Sequence, residues 1–391
     1  MRKIAATAPH PLLFAGSLLA AWVLSSFLAA SACADSFVLA TFNNGEQKLR
    51  ILHSTNAAEF LGHAQGTVYT PPPGNNLRDP SITHHRGRYY LCHTAGNFGA
   101  VDFFSILVSD NLWDWSHLTD VSMAAVGDVL WTWAPEWFLD DDGSLHVFVS
   151  ASTTPQISIK HKIYELHPLD PDVLTEWSVP AEVTGPEAFP PWTEDETYVG
   201  AYDPYVVKRD GTYWMFFYNT RSWHIELARS TNGLTGPYEP SRTNNWQGIG
   251  AFKEGPTVMY LGGGRWRMIY ADVIYSFLSY IDSTNNWATW SAPQPVTLPG
   301  APTNFTVNHG TLIVPPGGLD LDARIATAGA GHVQIAFQAT EGDHYRLSTS
   351  TNLSAWTTAE IIPPAASNPV IRTLPTSGSE RQFWRLERLL P

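Results

Sequence analysis

Three carboxylic acids of this chain stand in similar local settings: Asp79 before Pro80, Asp203 before Pro204, and Glu254 just before Gly255-Pro256. Carboxyl groups in sets do general acid and base work. One kept protonated gives a proton to a leaving oxygen, while another kept ionised activates water or attacks carbon. A third carboxylate nearby raises the acid's pKa through like-charge repulsion. An isolated Asp-Pro merely starts a turn, so the chemistry depends on whether the chain brings the three together. Two further segments start in a related way, Ala134-Pro135-Glu136 and Asn308-His309-Gly310-Thr311, which adds Glu136 and His309 as candidates.

The element that must position these side chains is a repeat. A polar residue before Pro, a strand, an acidic or Gly turn and an aromatic strand recur in LRDPSITHHRGRYYLCHT from Leu77 and TWAPEWFLDDDGSLHVFVS from Thr132. They recur again in AYDPYVVKRDGTYWMFFYN from Ala201 and KEGPTVMYLGGGRWRMIYAD from Lys253, and FTVNHGTLIV from Phe305 is a degenerate fifth copy. Spacing of roughly 50–70 residues with several strands per unit is the signature of propeller blades, and five copies predict five blades. In a propeller the first strand of each blade lines the central channel, so residues at one repeat phase converge although distant in sequence. Asp79, Asp203 and Glu254 are expected at a common phase and hence at one mouth of the channel. The strand-like segment around Ile51 precedes the first marker, so the N-terminal strands are expected to complete the last blade and close the ring, which removes free sheet edges.

The motifs LRDPSI, WAPEW, AYDPYVV, EGPTV and NHGT, with KIYEL between the second and third, resemble glycoside hydrolase family 43 over roughly residues 37–316. The resemblance implies a five-bladed propeller that hydrolyses arabinose- or xylose-containing plant-type glycans with inversion. Carried over by motif, Asp79 corresponds to the general base, Asp203 to the aspartate that tunes and orients the acid, and Glu254 to the general acid. His309 matches a histidine near the channel centre that in some members sits beside a bound ion, so a structural cation there is the one metal the resemblance suggests; no cofactor is required. Many relatives carry Arg before this His-Gly-Thr, where this chain has Asn308. Trp133, Glu136, Asn308 and His309 are the expected substrate contacts. Two alternatives stay open: a related propeller glycosidase acting on galactose or an anhydro sugar, and a carbohydrate-binding propeller without catalysis.

Other residues read as structure. Of Trp131, Trp133 and Trp137, at least two should pack within the propeller. Glu136 either binds sugar or bonds backbone amides at a strand start. Asp140-Asp141-Asp142-Gly143 lacks the ligand-spaced Glu of a calcium loop and is expected to be a hairpin turn. His84, His85 and His93 lack zinc-ligand spacing. Gly262-Gly263-Gly264 is expected to be a turn, since no helix follows it to make a phosphate loop.

Composition bounds the partners. With 36 acidic against 23 basic residues the net charge is −13, and no Lys/Arg run could track a phosphate backbone, so nucleic acid is excluded as an expected partner. The 16 tryptophans suit both a propeller core and a carbohydrate cleft. Residues 1–34 combine Arg2 and Lys3, an apolar stretch and Ala32-Cys33-Ala34, the parts of a signal peptide cleaved before Asp35. The expected destination is secreted or periplasmic, without membrane insertion after cleavage; a lipid anchor on Cys33 and a permanent membrane helix are the alternatives. Cys92 then remains alone, so the mature chain has no intrachain disulfide. Residues 35–317 are expected to form the propeller and 320–391, beyond a Pro-Gly linker, an accessory β-sandwich. Oligomeric state is left open.

Overall fold

A computed structural model describes residues 37–61, 66–185, 199–273, 277–301 and 305–315. It also describes 324–327, 332–337, 344–351, 357–362, 370–375 and 383–389. The expected signal peptide, Cys33 and the Pro-Gly linker beyond Pro315 lie outside the described residues. The chain divides into Met1–Ala34 and Asp35–Pro391, and every described strand belongs to the second unit. Among the described residues no helix is long and apolar enough to cross a membrane.

The chain starts with β1 (Phe37–Phe42) and β2 (Leu49–Ser54). A first four-stranded sheet follows from β3 (Arg78–His85), β4 (Arg88–Thr94), β5 (Phe103–Ser109) and β6 (Ser116–Ser122). The second comprises β7 (Trp131–Leu139), β8 (Leu145–Ser152), β9 (Lys162–Leu166) and β10 (Ala181–Glu182). The third is β11 (Ala201–Arg209), β12 (Thr212–Asn219), β13 (His224–Ser230) and β14 (Glu239–Arg242). The fourth is β15 (Lys253–Gly262), β16 (Arg265–Asp272), β17 (Phe277–Ser283) and β18 (Gln294–Pro295). Then β19 (Gly310–Ile313) pairs antiparallel with β1, Val38 opposite Ile313, giving a fifth sheet in the order β19-β1-β2.

The innermost strands contact one another in the cycle β3, β7, β11, β15, β19 and back to β3, which closes a five-bladed propeller. The expected closure by N-terminal strands holds, with the C-terminal segment supplying the innermost strand of the composite blade. Each seam between neighbouring blades has its own apolar cluster. Tyr90, Phe104, Trp137 and Val147 fill the seam of the first and second sheets, and Phe148, Ile163, Met215 and Phe217 that of the second and third. Phe216, Met268 and Trp287 join the third to the fourth, Leu39, Phe60 and Ile269 the fourth to the composite blade, and Phe42, Leu49 and Leu91 close the ring. Alternation along each strand produces this, since successive side chains face opposite neighbours. Each fully buried Phe, Leu or Ile contributes about 1.5–3 kcal/mol. Cys92 lies buried and unpaired in the first seam, so the core holds the ring without a disulfide.

Asp140–Gly143 is the hairpin turn between β7 and β8, with Gly143 at φ 85°, and Gly262–Gly264 turns β15 into β16, all three at positive φ. His84, His85 and His93 lie in strands. Six further strands, β20 (Arg324–Thr327), β21 (His332–Phe337), β22 (His344–Ser350), β23 (Thr357–Ile362), β24 (Val370–Pro375) and β25 (Phe383–Leu389), form two three-stranded antiparallel sheets, β20-β21-β24 and β23-β22-β25. Ile335 and Val370 from one sheet and Tyr345, Leu347 and Ile362 from the other share a single apolar cluster, as in a β-sandwich.

Candidate active site

The site is built on a repeated defect. In β3, β7, β11 and β15 the pairing with the next strand slips at the residues around the proline: between Arg78 and Ser81, Trp133 and Glu136, Tyr202 and Tyr205, and Glu254 and Thr257. The residue before each proline has a left-handed backbone, with φ 47° at Asp79, 46° at Ala134, 54° at Asp203 and 60° at Gly255. For a residue with a Cβ this costs on the order of 1–3 kcal/mol, a strain that persists only where its surroundings enforce it. A β-bulge re-aims side chains. Here it lets two consecutive residues face one cavity, which a regular pleat forbids: Arg78 with Asp79, and Tyr202 with Asp203.

That cavity, of about 310 Å³, is lined by Asp79, Asp203, Glu254, Trp133 and His309, so the structure brings together all three expected acids and two expected contacts. The expected common phase is corrected. Asp79 and Asp203 share one position, but Glu254 stands one residue earlier, equivalent to Arg78, Trp133 and Tyr202. Gly255 occupies the aspartate position, and the bulge is what lets both positions point inward. A Cβ at Gly255 would lie 2.5 Å from His309 Cγ, so glycine is required for the histidine to sit against this strand.

Each acid is wired differently. The Thr94 hydroxyl accepts the Ala134 N–H at 2.7 Å and donates to Asp79 Oδ2 at 2.8 Å, which points its proton at the carboxylate. The Gly255 N–H donates to Asp203 Oδ2 at 2.9 Å, seating Asp203 beside Glu254. His309 Nδ1 lies 3.4 Å from Asp79 Oδ1 and 3.8 Å from Asp203 Oδ2. Burial alone would raise the Asp79 pKa, yet the His309 hydrogen bond and charge, Arg78 and Thr94 together hold it below the ordinary aspartate value. Burial first and the Asp203 charge second push Glu254 up to about 8, against the opposing charge of His309. Burial also lifts Asp203 to about 6, with His309 opposing and Asp79 adding to the rise. For His309 burial is outweighed by Asp203 and Asp79, which carry it to about 9. His309 Nδ1 faces the two aspartates, which leaves Nε2 as the ring nitrogen that could meet the cation the resemblance suggests.

Glu136 and Asn308 do not line this cavity. Glu136 lies two residues past the bulged position, equivalent to Ser81, Tyr205 and Thr257, and faces a second cavity of about 660 Å³ with Tyr205, Met259 and Thr311. The Thr311 hydroxyl hydrogen-bonds its carboxyl at 2.9 and 3.1 Å. Asn308 is buried and held by its main chain, its N–H donating to the Phe42 carbonyl at 3.0 Å and its carbonyl accepting from Thr41 Oγ1 at 2.5 Å. Trp137 is buried in a seam, and Trp131 donates its indole N–H to the Thr154 carbonyl, leaving Trp133 as the ring of that trio on the cavity wall. Trp133 is held by its N–H to the Phe98 carbonyl at 2.8 Å and by packing on His161 and Tyr202.

Arg78, Phe98, Tyr202, Tyr218, Trp223 and Phe252 also line the cavity and were not singled out in the sequence. Arg78 and Tyr202 had a signal, since each precedes an Asp-Pro. The cavity thus combines ionised and protonated carboxyls, a cation and aromatic walls in a volume suited to one small ligand.

No family model matches the chain, and no curated protein matches it. Solved structures are similar to it. An α-L-arabinofuranosidase from Lactobacillus brevis has 16% identity over 67% of this chain and 83% of its own, with a TM-score of 0.44. An endo-arabinase from Bacteroides thetaiotaomicron has 19% identity over 69% and 92%, with a TM-score of 0.47. An exo-β-1,3-galactanase from Phanerochaete chrysosporium has 11% identity over 83% and 98%, with a TM-score of 0.42. Likenesses of this size say nothing of substrate, and the chemistry is read from the side chains.

Proposed function

We propose that this chain is an inverting glycoside hydrolase of the family 43 type, cleaving arabinosyl or xylosyl linkages in plant-type polysaccharides or their oligosaccharides. The observation that carries the reading is a pair of carboxyl groups in one sugar-sized cavity whose proton affinities are pushed apart, Asp79 downward and Glu254 up to about 8. At neutral pH one is a base and the other an acid, which is the division of labour that glycosidic cleavage requires.

In this reading a sugar ring packs on Trp133 with its anomeric carbon between the two groups. Asp79 accepts a proton from water as the water oxygen bonds to that carbon. Glu254 gives its proton to the departing oxygen as the carbon–oxygen bond breaks. Asp79 ends protonated and Glu254 ionised, and exchange with solvent resets both. Asp203 keeps the proton on Glu254 between turnovers, and His309 offsets the charge of the two aspartates. One attack from the face opposite the leaving group inverts the anomeric centre.

The test is a panel of aryl α-L-arabinofuranosides, β-xylosides and β-galactosides, with the first-formed sugar followed by proton NMR. Hydrolysis of a pentoside with the inverted anomer appearing first supports the proposal. The retained anomer, or turnover of the galactoside alone, would overturn the mechanism or the sugar class respectively.

A further inference from the structure

A second group of chemically capable side chains lies away from the acid cavity, on the second blade. His146 of β8, Glu165 of β9 and His167 just after β9 each direct one donor atom to a common point, the three atoms lying within 4.8 Å of one another. Strand register accounts for this. Phe148 pairs with Glu165 and Val147 with Leu166, so His146 falls opposite His167, and Glu165 lies on the same face two residues away. His146 Nδ1 is 2.7 Å, and His167 Nδ1 3.2 Å, from the same oxygen, Glu165 Oε1.

The hydrogen bonds behind His146 decide what the point between these atoms wants. Ser144 Oγ donates to Asp142 Oδ1 at 2.6 Å, so towards His146 Nε2, 2.8 Å away, it must accept. The proton of a neutral His146 ring is therefore on Nε2, and its Nδ1 lone pair faces a carboxylate oxygen. Two acceptors at that distance repel unless a proton or a metal ion sits between them. The Glu165 side chain is only 6% exposed, and among the described residues no Lys or Arg pairs with it. Among the described residues its ion-pair partners are the two histidines, cationic only when protonated, and a buried carboxylate facing neutral partners is costly. The relay from Asp142 through Ser144 to the far nitrogen of His146 is also how metal-bound imidazoles are held from behind.

We propose that His146, Glu165 and His167 form a binding site for a divalent transition metal of the zinc class. Two imidazole nitrogens and one carboxylate oxygen are the donor set that such ions take, with a fourth position left to water. The half-exposed His167 gives the ion its entry, and the ion ties β8 to the end of β9 on the face turned towards the third blade. The site contributes no group to the acid cavity, so its role is to stabilise the blade.

The experiment uses the whole protein, stripped of metal with a chelator and titrated with zinc chloride by calorimetry. His167→Ala is the informative variant, because an exposed side chain can be removed without disturbing the fold. The expected result is one equivalent of zinc bound by the wild type and lost in His167→Ala, while hydrolysis of aryl glycosides is unchanged. Ser144→Ala should weaken the same equivalent by about 10–100-fold, as loss of an outer partner does. The proposal is overturned if His167→Ala keeps the wild-type stoichiometry and affinity, or if the equivalent disappears in Asp79→Ala instead. A failure of the glycosidase reading would show only in the activity arm and leave the titration unaffected.

Discussion

The two ends of the propeller channel each carry a buried glutamate raised to about 8, Glu254 at one cavity and Glu136 at the other, yet they are very different sites. Burial is the largest cause for both. Glu254 then has Asp203 and Asp79 as charged neighbours, with His309 and Arg78 opposing. Glu136 is next held by the hydroxyls of Ser81 and Thr311, and it is the one carboxylate among the described residues lining its cavity. A raised pKa alone therefore does not make a catalytic acid. What distinguishes Glu254 is an ionised carboxylate across the cavity to act as its complement and a second charge beside it to keep its proton in place.

Breaking the complement should have the largest effect. Asp79→Asn removes the group that takes the proton from water, and hydrolysis should fall by about 10²–10⁴-fold. The loss should be equal for good and poor leaving groups, because water attack is needed for both. Steady-state kinetics on a dinitrophenyl and a methyl pentoside check this, and selective survival of the dinitrophenyl substrate would exchange the roles of Asp79 and Glu254.

A smaller effect is expected from the charge beside the acid. Asp203→Asn keeps an oxygen for the Gly255 N–H but removes the second-largest contribution to the Glu254 pKa. Activity needs Glu254 protonated, so the wild-type rate should fall as pH rises through about 8. In the variant that limb should move to lower pH. Below about 6 Asp203 is itself protonated, so there the two profiles should converge. A pH-rate profile with an unmoved basic limb would mean that burial alone sets the acid.

The smallest effect belongs to the other end of the channel. Glu136→Gln should leave turnover of aryl glycosides near the wild-type rate. Its signature is in stability. A carboxyl whose folded pKa is raised releases its proton on unfolding, so the wild type loses stability as pH rises from the ordinary glutamate value to about 8, and the glutamine variant escapes that loss. Thermal melts from pH 5 to 8 should show the difference moving in favour of the variant. A large fall in turnover would instead bring Glu136 into the reaction.

The contrast between these ends also shows how far sequence alone reaches. The prolines marking each blade, the closure by N-terminal strands and the convergence of Asp79, Asp203 and Glu254 all follow from a repeat with a strand period, because a propeller places equivalent strands around one axis. The position of Glu254, one residue from the aspartate phase, does not follow. A left-handed residue before proline is exceptional in sequence terms, since the position normally favours extended backbone. The same bulge hid Arg78 and Tyr202 as cavity residues, and it sends Glu136, two residues past the bulged position, to the opposite end. The pairing of His146 with His167 likewise depends on the register of β8 against β9, which no local pattern encodes.

Glu254 as the proton donor is the central claim, and leaving-group dependence tests it most directly. Glu254→Gln should be assayed for kcat/KM on a 2,4-dinitrophenyl pentoside, whose leaving group departs without a proton, and on an oligosaccharide with the same terminal sugar. A loss confined largely to the oligosaccharide is the predicted result, and an equal loss on both would contradict the assignment.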